Sequence, residues 1–269
     1  MLKKFNLTSK TALITGGGGM LGFQHAFALL QTNAKVILVD INLRKLKDNQ
    51  KKLSKIFNKN KIEIFENDVS NEKKLKNLLK ILKKKKINLN ILINNAAIDS
   101  KVTNKKMFRN FEKFSLKNWN KEISVGLSGS FLCTKIFGNE MAKKSGGVIL
   151  NIASDLSVIS PDQRIYNSNN KLQYSKPITY SVIKHGIIGL TKYTATYWAK
   201  NKIRCNALSP GGVKNLNNSA FNKRVNKLIP MNRLANKEEY ISAVQFLCSD
   251  ASSYMTGHNL IIDGGRSVW

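Results

Sequence analysis

Seven short runs of apolar and β-branched residues recur along this chain of 269 residues, each separated from the next by a segment long enough for a helix. The runs are Thr11 to Thr15, Val36 to Val39, Ile62 to Phe65, Ile91 to Ile93, Val148 to Ile152, Ile203 to Leu208 and Leu260 to Ile262. Mostly unbroken apolar character marks strands covered on both faces, and a helix-length spacer is the connection that two parallel strands need. The alternation predicts one α/β domain over residues 1–269, a doubly wound parallel sheet of seven strands flanked by helices. In one spacer Leu75, Leu78, Leu79 and Leu82 follow at i, i+3, i+4 and i+7, the stripe of a buried helix face. Lys73, Lys74, Lys76 and the lysines at 83–86 fall mostly elsewhere and read as a solvated face and helix end. Two polar stretches break the alternation, residues 157–176 and 214–236, rich in Asn, Ser, Gln and Lys. Each follows a strand, so each is expected at the carboxyl edge of the sheet as a substrate loop.

Thr15-Gly16-Gly17-Gly18-Gly19-Met20-Leu21-Gly22 directly follows the first run and opens a helix over residues 21–30. Glycines let the backbone turn tightly and approach a pyrophosphate, whose charge then rests against free N–H groups at the positive end of the helix. Gly16, Gly19, Met20, Leu21 and Gly22 are therefore expected to hold a dinucleotide, in a Rossmann-type arrangement. Asp40 ends the second strand eighteen residues past Gly22, where a carboxylate can accept hydrogen bonds from both hydroxyls of an adenosine ribose. That favours NAD over NADP, whose 2′-phosphate would meet the same negative charge. Arg44 lies close enough in sequence to offset that charge, and an ordinary helix N-cap is the plainer role for Asp40.

Tyr180 and Lys184 stand four residues apart, neighbours on one face of a helix. An ammonium beside a phenol favours the phenolate, which makes Tyr180 a usable acid or base near neutral pH, and Lys184 can also hold a nicotinamide ribose. Ser154, at the end of Asn151-Ile152-Ala153-Ser154, offers a hydroxyl to steady a substrate carbonyl or alcohol. Ser154, Tyr180 and Lys184 form the expected catalytic set. Arg164, in the polar stretch before Tyr180, can join Ser154 and Tyr180 at the substrate by reading a carboxylate or phosphate, although a plain surface arginine is the competing reading. The same two readings apply to Lys214. His185 points roughly 100° around the helix from Lys184 and reads as packing.

Lys and Arg number 45 against 16 Asp and Glu, a formal charge of +29 that raises nucleic acid or an anionic membrane as partner. Only seven of the basic residues are Arg, while Asn numbers 32, so the excess is Lys dispersed among Asn and Ile, as AT-rich coding produces. Recognition of bases and phosphates leans more on the Arg fork, and no specific nucleic-acid partner is expected. No run approaches the ~18 apolar residues of a membrane span, and the start lacks a signal-peptide pattern. Cys133, Cys205 and Cys248 lie far apart without a C-x-x-C pair, which argues against a disulfide framework and a zinc site. His25 and His258 make no metal pair. A soluble, cytoplasmic protein without metal or membrane partner is expected.

These segments come in the order found in the short-chain dehydrogenase/reductase family, which the chain resembles over nearly its whole length. Thr15 to Gly22 resembles the nucleotide loop, Asp68-Val69 the adenine-contacting pair and Asn94-Asn95-Ala96-Ala97 the segment after strand four. Asn151 to Ser154 resembles the serine strand, Tyr180 to Lys184 the catalytic motif, Pro210-Gly211 the turn after strand six and Asp263-Gly264-Gly265 the closing segment. The resemblance implies Tyr180 as acid/base, Lys184 as its activator and ribose ligand, and Ser154 as partner of the substrate oxygen. It adds Asp68, Val69, Asn95, Ala96, Pro210 and Gly211 to the cofactor contacts and suggests a homodimer or homotetramer. Two departures stand out. Met20 occupies the second glycine position of the shorter members' loop, and Gly126 stands where the helix before strand five usually supplies an Asn to a proton relay. An ordered water in the space left by Gly126 is the expected substitute. The implied activity is an NAD-dependent oxidoreductase interconverting a secondary alcohol and a ketone on a small polar substrate, with sugar or cell-surface carbohydrate metabolism as the leading setting. The alternatives are a 3-oxoacyl-carrier-protein reductase, whose acidic carrier suits a basic surface, and a non-catalytic dinucleotide-binding protein.

Overall fold

Every strand pairing is parallel in the computed structural model, which describes residues 3–98, 111–166, 175–214 and 219–269. The strands are β1 (Thr11–Thr15), β2 (Lys35–Asp40), β3 (Ile62–Glu66), β4 (Ile91–Asn94), β5 (Gly147–Ile152), β6 (Ile203–Pro210) and β7 (Asn259–Ile262). They line up as β3-β2-β1-β4-β5-β6-β7, so the winding reverses between β1 and β4 and opens a crevice beyond their carboxyl ends. The expected seven-stranded, doubly wound sheet is the fold observed.

Period-two geometry explains the unbroken apolar runs. Ile14, Leu38 and Ile93 enter one core cluster, while Leu13, Ile37 and Leu92, their neighbours on the same strands, enter the cluster on the opposite face. α1 (Met20–Gln31) and α9 (Ile241–Cys248) pack against each other over the first cluster. α3 (Glu72–Lys84) covers the second through Leu75, Leu78 and Leu82, with Leu79 only partly buried. Its solvent side is the lysine-rich one, where Lys76 and Lys83 pair with Glu72 and Glu140. α2 (Leu43–Leu53) starts at Asn42, whose side chain accepts from the Lys45 amide at 3.0 Å.

Before β5, α4 (Leu116–Ile123) runs through a π-helical turn (Ser124–Ser128) into α5 (Gly129–Cys133), then through a second (Thr134–Gly138) into α6 (Asn139–Ala142). α7 (Ile178–Tyr197) follows β5 and packs against β6.

The two polar stretches are less loop-like than the sequence suggests. α8 (Ser219–Asn226) lies within the second, and Ile165, Val225, Ile229 and Leu234 bury one another in a small cluster of their own. Arg224 Nε donates to the Ile165 carbonyl at 2.7 Å and joins the two stretches. The apolar residues are too sparse among Asn and Lys to show a period, yet they suffice to turn inward against each other. Residues 167–174 and 215–218 of these stretches lie outside the described residues.

Among the described residues, no helix is long and apolar enough to cross a membrane, and no group of three or more His, Cys, Asp or Glu could hold a metal ion. Cys133, Cys205 and Cys248 are free and buried, and burial pushes each thiol up to about 12.

Candidate active site

The glycine loop leaves β1 at Gly16, whose φ of +66° is a left-handed conformation natural to glycine. α1 then crosses so close that a Cβ on Gly22 would lie 2.2 Å from the Gly16 carbonyl oxygen, so no larger residue fits there. Gly19 is the N-cap of α1; no side chain caps it, and the first turn carries no acidic residue. The positive helix end is left for an external anion. Met20, half exposed, turns its side chain outward, which explains how this loop dispenses with a glycine at that position.

Asp40 is bound into the loop: its Oδ2 accepts from the Gly18 amide and its Oδ1 from the Asn42 amide, each at 3.0 Å. The N-cap role belongs to Asn42, which removes the plainer reading of Asp40. Arg44 is exposed on α2. Across the switch point, Thr15 Oγ1 accepts from the amides of Asn95 and Ala96 at 3.0 and 3.1 Å, and Asn95 Nδ2 donates to the Thr15 carbonyl at 3.0 Å. Asp68 lines a cleft with Ile41 and Phe65, and its Oδ1 accepts from the Ser70 amide and hydroxyl. Val69 is buried against Gly129. His25, in α1 behind the loop, is wholly buried; desolvation lowers its pKa to about 4, and the Asn95 side chain pulls weakly the other way.

At the end of β5, Ser154 caps the short turn Asp155–Ser157, which packs against α7. Ser154 Oγ donates to Asp155 Oδ1 at 2.7 Å, and Asp155 Oδ2 pairs with Arg266 Nη1 at 2.8 Å in a buried ion pair. α7 presents Tyr180 and, one turn on, the buried Lys184, whose Nζ donates to the Ile152 carbonyl at 2.8 Å. Lys184 Nζ stands 5.6 Å from the centre of the Tyr180 ring, and Lys176 Nζ only 3.9 Å from it. Two ammonium groups thus stand over the phenol ring. Beside them, the Thr179 hydroxyl donates to the buried carboxylate of Glu122, which ties α4 to α7. The Gly211 amide donates to the Ile262 carbonyl at 2.8 Å, fixing the Pro210-Gly211 turn at the carboxyl edge of β6.

One expectation needs revision. The space in front of Gly126 is filled: a Cβ there would lie 2.9 Å from Cγ2 and 3.0 Å from Cδ1 of Ile183. The glycine marks a close crossing of the π-helical turn over α7, with an apolar side chain where a water was expected. Arg164 is 89% exposed and is held by Asp162 at 2.7 Å, so its charge already has a partner outside the Tyr180 cluster. Lys214 is likewise exposed. Lys176 went unselected in the sequence, although its place four residues before Tyr180 mirrors that of Lys184.

A family model described as enoyl-(acyl carrier protein) reductase matches residues 19–267. An NAD-dependent glycerol dehydrogenase of Listeria innocua serovar 6a (strain ATCC BAA-680 / CLIP 11262) is 31% identical over 99% of this chain and 97% of its own. Among solved structures, a short chain dehydrogenase from Leptospira borgpetersenii serovar Hardjo-bovis (strain JB197) with bound NAD+ superposes with a TM-score of 0.85 at 32% identity, covering 99% of this chain and 97% of that one. A gluconate 5-dehydrogenase from Burkholderia cenocepacia J2315, in complex with NADP and tartrate, gives 0.85 at 25% identity over 100% of this chain and 99% of that one.

Proposed function

This chain belongs to the short-chain dehydrogenase/reductase family, and from that premise we propose that it interconverts a secondary alcohol and a ketone on a polyol or sugar acid, with NAD as cofactor. The residues present fit a dinucleotide: the close Gly16–Gly22 crossing makes room at an uncapped helix end, and Asp40 carries two backbone-held oxygens beside it. Gly16, Gly19, Met20, Leu21 and Gly22 would hold the pyrophosphate, and Asp40 the adenosine ribose. Asp68, Val69, Asn95 and Ala96 would line the adenine side, and Pro210 and Gly211 the nicotinamide side. The bound nicotinamide supplies the hydride acceptor in oxidation and the donor in reduction. Tyr180 takes the hydroxyl proton, the two ammonium groups steady its phenolate, and Lys184 also holds the nicotinamide ribose. Ser154 orients the substrate.

The observation that carries this reading is α7 itself, which sets Tyr180 beside Lys184 and packs along its length against the turn headed by Ser154. A small polar substrate suits the glycerol and gluconate activities named for the relatives. The acyl-carrier reading draws on the family-model description and the basic surface; Asp40 opposes it, since that activity commonly uses NADPH. A homodimer or homotetramer in the cytoplasm completes the proposal, and the free thiols suit a reducing compartment.

The test is NADH formation across a panel of polyols and aldonates, with NADP and a 3-oxoacyl thioester with NADPH as comparison arms. Turnover on the panel with NAD is expected, falling at least ~100-fold in Tyr180→Phe while NAD still binds. Thioester reduction without polyol oxidation would overturn the reading.

A further inference from the structure

Lys176 stands where the acid/base meets the two polar stretches. Its Nζ is 3.9 Å from the centre of the Tyr180 ring, closer than Lys184 Nζ at 5.6 Å. The stem behind that ammonium is anchored: the Lys176 amide donates to Gln163 Oε1 at 2.9 Å, and the next residue is the buried Pro177 at the N-cap of α7. Gln163 begins the short turn Gln163–Tyr166, whose Ile165 enters the cluster with Val225, Ile229 and Leu234. The backbone of Lys176 is therefore tied to the folded part of both stretches, while its side chain lies on the residue that exchanges the substrate proton.

Tyr180 meets the reacting oxygen at its hydroxyl, on the rim of the ring whose face carries the ammonium. A group that the substrate bears one or two carbons from the reacting centre comes within reach of Lys176, whose flexible stem ends in three N–H donors. Lys176 is partly buried, so its charge has lost some of its water, and an aromatic face replaces only part of that hydration. A carboxylate replaces more, because a charge-assisted hydrogen bond is about twice as strong as one between neutral groups. Arg164, by contrast, is exposed and turned to Asp162.

We propose that Lys176 reads a carboxylate on the substrate, so that the site prefers a hydroxy acid of the aldonate kind to the neutral polyol of the same length. The proposal rests on the alcohol–ketone activity above and deepens it by choosing between its two substrate classes. A single ammonium matches the one charge of a carboxylate better than the nearly two of a phosphate monoester, and Lys184 is engaged with the Ile152 carbonyl. The carboxylate is a handle and undergoes no bond change. The hydroxyl proton goes to Tyr180, the C–H electron pair leaves as hydride to the nicotinamide, and the C=O bond forms elsewhere on the substrate chain.

The experiment measures kcat/KM for NADH formation on gluconate, gluconamide and glucitol, and on the shorter set of glycerate, glyceramide and glycerol. The amides keep the length and the hydroxyl groups of the acids without the charge. In at least one set the acid should exceed both neutral compounds by about tenfold or more. In Lys176→Met the acid-to-amide ratio should shrink several-fold, whereas Lys176→Arg, which keeps the charge, should retain most of it. Because the ratio is taken within one variant, any change at Tyr180 that acts on all substrates alike cancels. Amides turned over as well as acids, a ratio unmoved in folded Lys176→Met, or equal loss in both variants would overturn the proposal and leave the alcohol–ketone activity standing. Glycerol 3-phosphate preferred over glycerate would overturn the carboxylate in favour of a phosphate. No turnover on any alcohol would overturn the activity itself and the proposal with it. If Lys176→Met does not fold, the wild-type series decides alone.

Discussion

Ile183 closes the space in front of Gly126, leaving 2.9 Å between its Cγ2 and the point where a Cβ would stand. Next to it, a Cβ on Gly186 would lie 3.1 Å from both Leu127 methyl carbons, so the π-helical turn and α7 are as close as two backbones with these side chains can come. Gly126→Asn is accordingly expected to overpack this crossing and cost roughly 1–3 kcal/mol of stability. Trimming Ile183 to Val or Ala in the same chain should restore part of the loss. Chemical denaturation of the single and double variants checks the coupling; additive effects would show that the two residues do not press on one another.

Lys176 is expected to matter through Tyr180. Its Nζ, 3.9 Å from the ring centre, favours the phenolate. Lys176→Met should move the midpoint of the pH–rate profile for alcohol oxidation upward, because an ammonium attracts a phenolate more strongly than it attracts a neutral phenol ring. A profile that stays in place, with only KM altered, would assign the lysine to substrate binding alone.

Asp40 carries two expectations in one side chain. Replacing it with Ala removes a ribose acceptor and the repulsion toward a 2′-phosphate, and it also frees the Gly18 amide. The ratio of kcat/KM for NAD over NADP should shrink or reverse. If the parent enzyme already prefers NADP, Arg44 becomes the residue to replace.

His25 makes the fold sensitive to mild acid. Its pKa is about 4 in the folded protein against 6.5 for an ordinary exposed imidazole, so the unfolded chain binds the proton more readily. Its contribution to stability is complete above about pH 6.5 and is lost as the pH falls toward 4. Between pH 7.5 and 5 the loss from this residue is ~2 kcal/mol. Urea midpoints at those two pH values, compared with His25→Gln, should show a steeper decline in the wild-type protein. Parallel declines would place the sensitivity elsewhere.

Sequence alone determined the layers and the local signatures. Alternating strands and helices, the 16–19–22 glycine spacing, Asp40 after the second run and the Tyr180–Lys184 pair are patterns of near neighbours, and near neighbours take their geometry from strand and helix periodicity. Lys176 escaped that reasoning because α7 begins only at Ile178, after Pro177; helical spacing does not carry back across the proline, and only the path of the preceding chain brings the ammonium over the ring. Tertiary structure alone decided the partners that lie far apart: Asp155 and Arg266 are 111 residues from one another, and Gly126 meets Ile183 across two different helices. A buried arginine and a helical glycine look the same in sequence whether they face a ligand, a carboxylate or a methyl group. Close packing selects among these, and it acts on volumes and charges that chain order does not record.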